Sequence, residues 1–156
     1  MGRIQDGVEG FFKQDDWAYG PGRIDHTLVS AFKGDAGQWS CLAYCAEEQQ
    51  QVMFYSVCPI SSSPEKLVSI SEFIHRANYG LHVGNFELDV TDGEIRFKTS
   101  VDVEGTDLTF ELMRNTVYAN VMQMDHYLPG LFGILHGDLT AEAAIALVEG
   151  APTATA

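Results

Sequence analysis

Hydrophobic and polar residues alternate most strictly from Phe86 to Val101. Phe86, Leu88 and Val90 interleave with Glu87, Asp89 and Thr91, and after Asp92-Gly93 come Ile95, Phe97, Thr99 and Val101 interleaved with Arg96, Lys98 and Ser100. Period-two alternation on both sides of Asp-Gly predicts a hairpin closed by a two-residue turn, because both turn positions require positive φ. That loop length pairs Val90 with Ile95, Leu88 with Phe97 and Phe86 with Thr99 on one face, and Asp89 with Arg96 and Glu87 with Lys98 on the other. Opposite charges then meet across the strands, and an offset of even one residue would carry every apolar side chain to the wrong face.

Two earlier runs, Trp39 to Ala46 and Val52 to Cys58, are joined by the polar Glu47 to Gln51 and predict a second hairpin. Here both faces are apolar: Trp39, Cys41, Ala43 and Cys45 lie on one side, and Leu42, Tyr44 and Ala46 on the other. In the next strand Phe54 opposes Met53, Tyr55 and Val57 in the same way. Such strands need cover on both sides, and two sources are open: an N-terminal helix, or another copy of the chain. A strand over Asp25 to Lys33 precedes them, after the breaker cluster Tyr19-Gly-Pro-Gly22.

Helical patterns appear four times. Ile4, Val8, Phe11 and Phe12 predict a first helix in spite of Gly7 and Gly10. Ser61-Ser-Ser-Pro64, with Glu65 three residues after Ser62, predicts a capped start for a second helix buried through Leu67, Ile70, Phe73 and Ile74, with Gly80 as a left-handed end. Leu108, Leu112, Val117, Val121 and Met124 mark a third that Pro129-Gly130 interrupts, and Thr140 opens a last helix ending at Gly150. The order α-β-β-β-α-β-β-α(α), with strands grouped in runs, predicts an α+β domain over residues 1–150. Its antiparallel sheet has about five strands and helices mainly on one face, and residues 151–156 form a frayed tail.

The chain's 156 residues suffice for one domain that buries roughly 70% of its unfolded surface. A net charge of −13, with 9 Lys and Arg and no basic cluster, disfavours nucleic acid and membranes as partners. Asp6 and Glu9 interrupt the only apolar stretch near the start, which predicts a cytoplasmic protein without a secretory signal. Three cysteines make no disulfide framework. Cys41 and Cys45 sit about 13 Å apart along one strand and read as buried thiols, with Cys58 falling opposite Cys41 in one register.

Catalytic signatures are missing. His26, His75, His82, His126 and His136 fall in different elements and in no metal-ligand spacing, and Asp125 and His126 point about 100° apart on a helix. Ser61 to Ser63 lie in no nucleophile elbow, and Met113, Met122 and Met124 read as helix core. No catalytic residue, metal ligand or cofactor is assigned.

The stretches Phe73-Ile-His-Arg-Ala-Asn-Tyr-Gly80, Gly84-Asn-Phe-Glu-Leu-Asp89, Asp92-Gly-Glu-Ile-Arg-Phe-Lys98 and Asp125-His-Tyr-Leu-Pro129 resemble the YbjN family of small bacterial proteins, described as sensory transduction regulators. The resemblance implies a fold like that of type III secretion chaperones, which are small acidic homodimers that hold extended segments of other proteins. It implies a non-catalytic protein-binding module; the alternative is a small enzyme or ligand-binding protein with a site built from scattered histidines and carboxylates. The expected assembly is a homodimer with Leu42, Tyr44 and Phe54 at or near the interface or beneath the N-terminal helix.

Overall fold

The computed structural model describes residues 2–150. The predicted tail, residues 151–156, lies outside the described residues. One antiparallel sheet of six strands has the order β1-β2-β3-β4-β6-β5, with β1 at Tyr19–Pro21, β2 at Thr27–Lys33, β3 at Gln38–Ala46, β4 at Gln51–Val57, β5 at Asn85–Leu88 and β6 at Ile95–Asp102. The α+β prediction holds, with one strand more than expected. The breaker cluster supplies it: Tyr19 pairs with Ser30 and stacks on Phe12 at 5.2 Å, and Pro21, which has no amide to donate, suits a sheet edge.

Among the described residues four helices, α1 at Arg3–Gln14, α2 at Leu67–Gly80, α3 at Phe110–Leu135 and α4 at Ala141–Glu149, supply the apolar cover. Ile4, Val8, Phe11 and Phe12 of α1 are all buried, as their spacing requires. The loop between β3 and β4 secures the start of that helix, where Glu47 accepts hydrogen bonds from the amides of Ile4 and Gln5 at 3.1 and 2.7 Å. A carboxylate at a helix N-terminus satisfies orphan donors and complements the dipole.

The centre of the fold is the contact of α3 with β4 and β6. Asn120 is fully buried, and its Nδ2 donates to the carbonyls of Phe54 and Phe97 at 2.8 and 3.0 Å and to Thr99 Oγ1 at 3.2 Å. Thr99 Oγ1 donates in turn to the carbonyl of Thr116, one helical turn away from Asn120. A polar network this deep fixes the helix in one register over the sheet.

Three local expectations are corrected. Pro129-Gly130 does not break α3. Gly130 is a point of close packing, where a Cβ would come 2.7 Å from the Phe73 ring and 3.2 Å from the Ala144 carbonyl, so α2 and α4 both press on it. The serines before α2 make no side-chain cap; Pro64–Lys66 forms a 3₁₀ turn, and Ser62 is buried with its amide donating to the Gly93 carbonyl at 2.8 Å. Gly80 is simply the last residue of α2, and the chain leaves extended at Leu81.

The hairpin register is also corrected. Phe86 pairs with Phe97, Glu87 with Arg96 and Leu88 with Ile95, two residues away from the expected pairing. Asp89 accepts from the amide of Thr91 and Asp92 from that of Glu94, so each aspartate builds its own turn and the connection widens. Gly93, at φ 80°, closes the loop against Ser62, whose carbonyl would lie 2.1 Å from a Cβ. An even offset preserves the faces, so Phe86, Leu88, Ile95 and Phe97 still point inward.

Asn120→Leu should unfold with a loss of about 2–3 kcal/mol, the cost of removing a buried hydrogen-bonded group. Asn120→Asp, which turns an acceptor toward two carbonyls, should cost more at neutral pH than at acid pH. Urea melts at both pH values measure the difference.

Candidate interaction surface

Every helix among the described residues lies on the side of the sheet where Trp39, Cys41, Ala43, Phe54, Thr99 and Phe97 point. The first helix was one of two candidates to cover the opposite face, and the structure places it with the others: Phe12 stacks on Tyr19, while Trp17 just beyond the helix meets the edge of Phe54 at 6.5 Å. The opposite face carries no covering element among the described residues. Leu42, Tyr44, Met53, Tyr55 and Val57 stand on it half-buried by one another, and Val29 is 38% exposed. A shallow depression of about 520 Å³ opens at one end between Ala31, Ser40, Val57 and Pro59, and a smaller one of about 170 Å³ lies between Met53, Lys98 and Ser100.

The predicted interface residues therefore separate. Leu42 and Tyr44 share the open face, whereas Phe54 is fully buried on the helical side, where the edge of the Trp17 ring meets it. Phe54 leaves the interface set because it pairs across the strands with Ala43 and points inward with it, opposite to Met53 and Tyr55, the residues one apart on its own strand.

All charged residues within the strands face the open side: Lys33, Arg96 and Lys98 against Glu87 and Asp102. Within the strands this face thus carries three cations against two carboxylates, in a chain of net charge −13. Arg96 lies with its guanidinium 4.3 Å from the centre of the Tyr55 ring, and its Nε donates to Glu87 at 2.8 Å. Lys98 reaches the other oxygen of Glu87 at 3.1 Å. Partial burial raises the Glu87 pKa, but the hydrogen bonds from Lys98 and Arg96 and their charges outweigh it and hold the carboxyl below its usual range. The sequence showed opposite charges on these strands; the stacking of Arg96 on Tyr55 depends on β4 lying beside β6, which only the fold reveals.

Both sheet edges are blunted. Beyond β5, Asn78 of α2 accepts from the Phe86 amide at 2.7 Å and donates to the Phe86 carbonyl at 3.1 Å, copying the pairing of an added strand. The other edge is the three-residue β1 with its proline. A partner that adds a strand finds little backbone to pair with at either edge, which leaves the face as the larger contact surface.

The candidate chemical residues disperse. His26 sits in the turn before β2, His82 in the loop after α2, His75 bonds the Ser71 carbonyl within α2, His126 meets the edge of Tyr127, and His136 ends α3. Asp125 accepts hydrogen bonds from the amides of Asp35 and Ala36 at 3.0 and 2.8 Å, which ties the β2–β3 turn to α3. Met113 and Met124 are core, and Met122 is 57% exposed on the outer side of α3. Cys41 faces Ser56, not Cys58; burial pushes the thiols of Cys41 and Cys45 up to about 12 and that of Cys58 to about 11. Among the described residues, no three His, Cys, Asp or Glu side chains gather in a metal-binding arrangement, and no helix is long and apolar enough to cross a membrane.

Two outcomes follow. The three thiols should resist alkylation at pH 8 in the native state and all react in denaturant, as mass spectrometry will count. The depressed Glu87 pKa means that its ion pairs stabilise the fold above the ordinary carboxylate pKa and cease to do so as pH falls through the lowered one. Glu87→Gln should therefore lower Tm at pH 7 by a few degrees and by less at pH 3, in thermal melts.

Comparison with known proteins agrees with this architecture. The model of the YbjN family, described as "Putative bacterial sensory transduction regulator", matches residues 5–133. The crystal structure of YbjN from E. coli is similar with a TM-score of 0.59 and 12% identity, over 77% of this chain and 84% of that one. A chain of the HopA1–SchA chaperone–effector complex is similar with a TM-score of 0.55 and 10% identity, over 80% of this chain and 91% of that one. A search of curated proteins finds no significant match.

Proposed function

Because the chain belongs to the YbjN family and presents one uncovered apolar sheet face, we propose that it is a non-catalytic protein-binding module, chaperone-like or regulatory, that docks other polypeptides on that face. The observation that carries this reading is the segregation of all four helices to one side, which leaves Leu42, Tyr44, Met53, Tyr55 and Val57 together on the other. Contiguous apolar surface of this kind marks an interaction site on a protein whose remaining surface is strongly charged. The likeness in fold to a chain of a chaperone–effector complex supports it.

The apolar half of the face, on β2 and β3, is the proposed seat of a second copy in a two-fold homodimer. Two chains of net charge −13 repel each other except where the local charge is not negative, and the open face is that place. A self-complementary patch across a two-fold axis closes without generating fibres. A cytoplasmic location is the proposal that fits three buried free thiols.

Light scattering at micromolar concentration should return twice the chain mass. Tyr44→Glu should give a folded species of one chain mass, because Tyr44 is half-exposed and outside the helix-covered core. A wild type that stays at one chain mass at every accessible concentration contradicts the dimer.

A further inference from the structure

We propose that Arg96 and Lys98, backed by Tyr55, form a carboxylate clamp that receives an acidic side chain of an extended, partly apolar polypeptide lying across β4 and β6. This inference rests on the reading of the open face as a docking surface and names the chemistry of its partner.

Three observations carry it. The guanidinium of Arg96 sits over the Tyr55 ring in a cation–π contact and is tethered through Nε to Glu87, so it is positioned before any partner arrives. Its terminal nitrogens make no hydrogen bond among the described residues, and the side chain is 38% exposed, so the end of the fork is free to grip a carboxylate with two parallel bonds. Lys98 stands on the same face next to Arg96 and is likewise satisfied only through Glu87. One carboxylate thus serves two cations, and the cluster retains a positive charge.

The surroundings set the rest of the partner. Met53 and Tyr55 border the clamp on β4 with apolar surface, and the depression beside Lys98 is lined by Met53 and Val101 together with the polar Gln51, Ser100 and Asp102. An extended chain places alternate side chains about 7 Å apart on one face, so apolar residues on either side of the acidic one lie against Met53 and Tyr55. The acidic remainder of the protein opposes such a ligand only weakly at physiological salt, where the Debye length is about 8 Å. Glu87 competes with the ligand for the same donors, so the clamp is partly occupied from within.

The test uses the full-length protein and a short fluorescent peptide alternating glutamate with leucine, beside counterparts with glutamine or lysine in place of glutamate. Anisotropy titrations should show binding of the glutamate peptide, and about tenfold weaker binding of the glutamine peptide, the worth of one charge-assisted bond. Arg96→Lys keeps the charge but not the fork and should weaken the glutamate peptide alone. Glu87→Gln should tighten it several-fold, a gain that a merely structural role for these residues would not produce. Equal binding of the glutamate and glutamine peptides, unchanged binding by Arg96→Lys, or no binding by the wild type overturns the clamp. Light scattering on the same samples separates the two proposals: a dimer that ignores the peptide removes only the clamp, and a monomer that binds it removes only the dimer.

Discussion

The arrangement of this protein follows from how α3 seats on the sheet. Asn120 projects from the middle of a 26-residue helix into the centre of β4 and β6 and meets backbone carbonyls of both strands, with Thr99 and Thr116 completing the network. Once that contact is made, the side chains flanking it on α3, Val117, Val121 and Met124, cover one face of the sheet. The remaining helices pack where α3 leaves apolar surface, α1 on one flank and α2 with α4 on the other, with Gly130 allowing the latter pair to close in. A single helical layer covers one face only, so the uncovered face is a direct consequence of the seating.

That consequence supplies the functional reading. The covered face is mainly apolar, with Ser56 and Thr99 buried and hydrogen-bonded within it, whereas the other combines half-buried aromatics and aliphatics with three cations against two carboxylates on its strands. With its two edges blunted by Asn78 and by Pro21, the sheet offers another chain its face more readily than its backbone. A regulator or chaperone needs a surface that tolerates varied sequences, and side-chain contacts on a sheet face are more permissive than a catalytic pocket.

Much of this was legible in the sequence, and the failures share a cause. The amphipathic spacing of Ile4, Val8, Phe11 and Phe12, and the two-sided apolar strands around Leu42 and Tyr44, each report a local period, and both survive in the fold. The register at Asp92-Gly93 failed because Asp89 and Asp92 each capture a backbone amide, which local alternation cannot show. Ser62 read as a helix cap, yet it serves Gly93, thirty-one residues onward, and Pro129-Gly130 read as a break because its reason lies on Phe73 and Ala144. Phe54 was grouped with Leu42 and Tyr44 because either face of β4 is apolar; only the pairing with Ala43 tells which face is inside. Interactions between elements, which also created the Arg96–Tyr55 stack, are what a single sequence does not display.

The methionines provide the most direct measurement of the central claim, that the open sheet face is where this protein meets other chains. Met53 stands on that face, Met122 is exposed on the helical side, and Met113 and Met124 are buried, so methyl-labelled methionine gives a reporter for each surface in one spectrum. Raising the protein concentration, or adding the acidic peptide, should shift or broaden the Met53 methyl resonance and leave that of Met122 in place. A response at Met122 with an unmoved Met53 would put the contact on the helices and contradict the account.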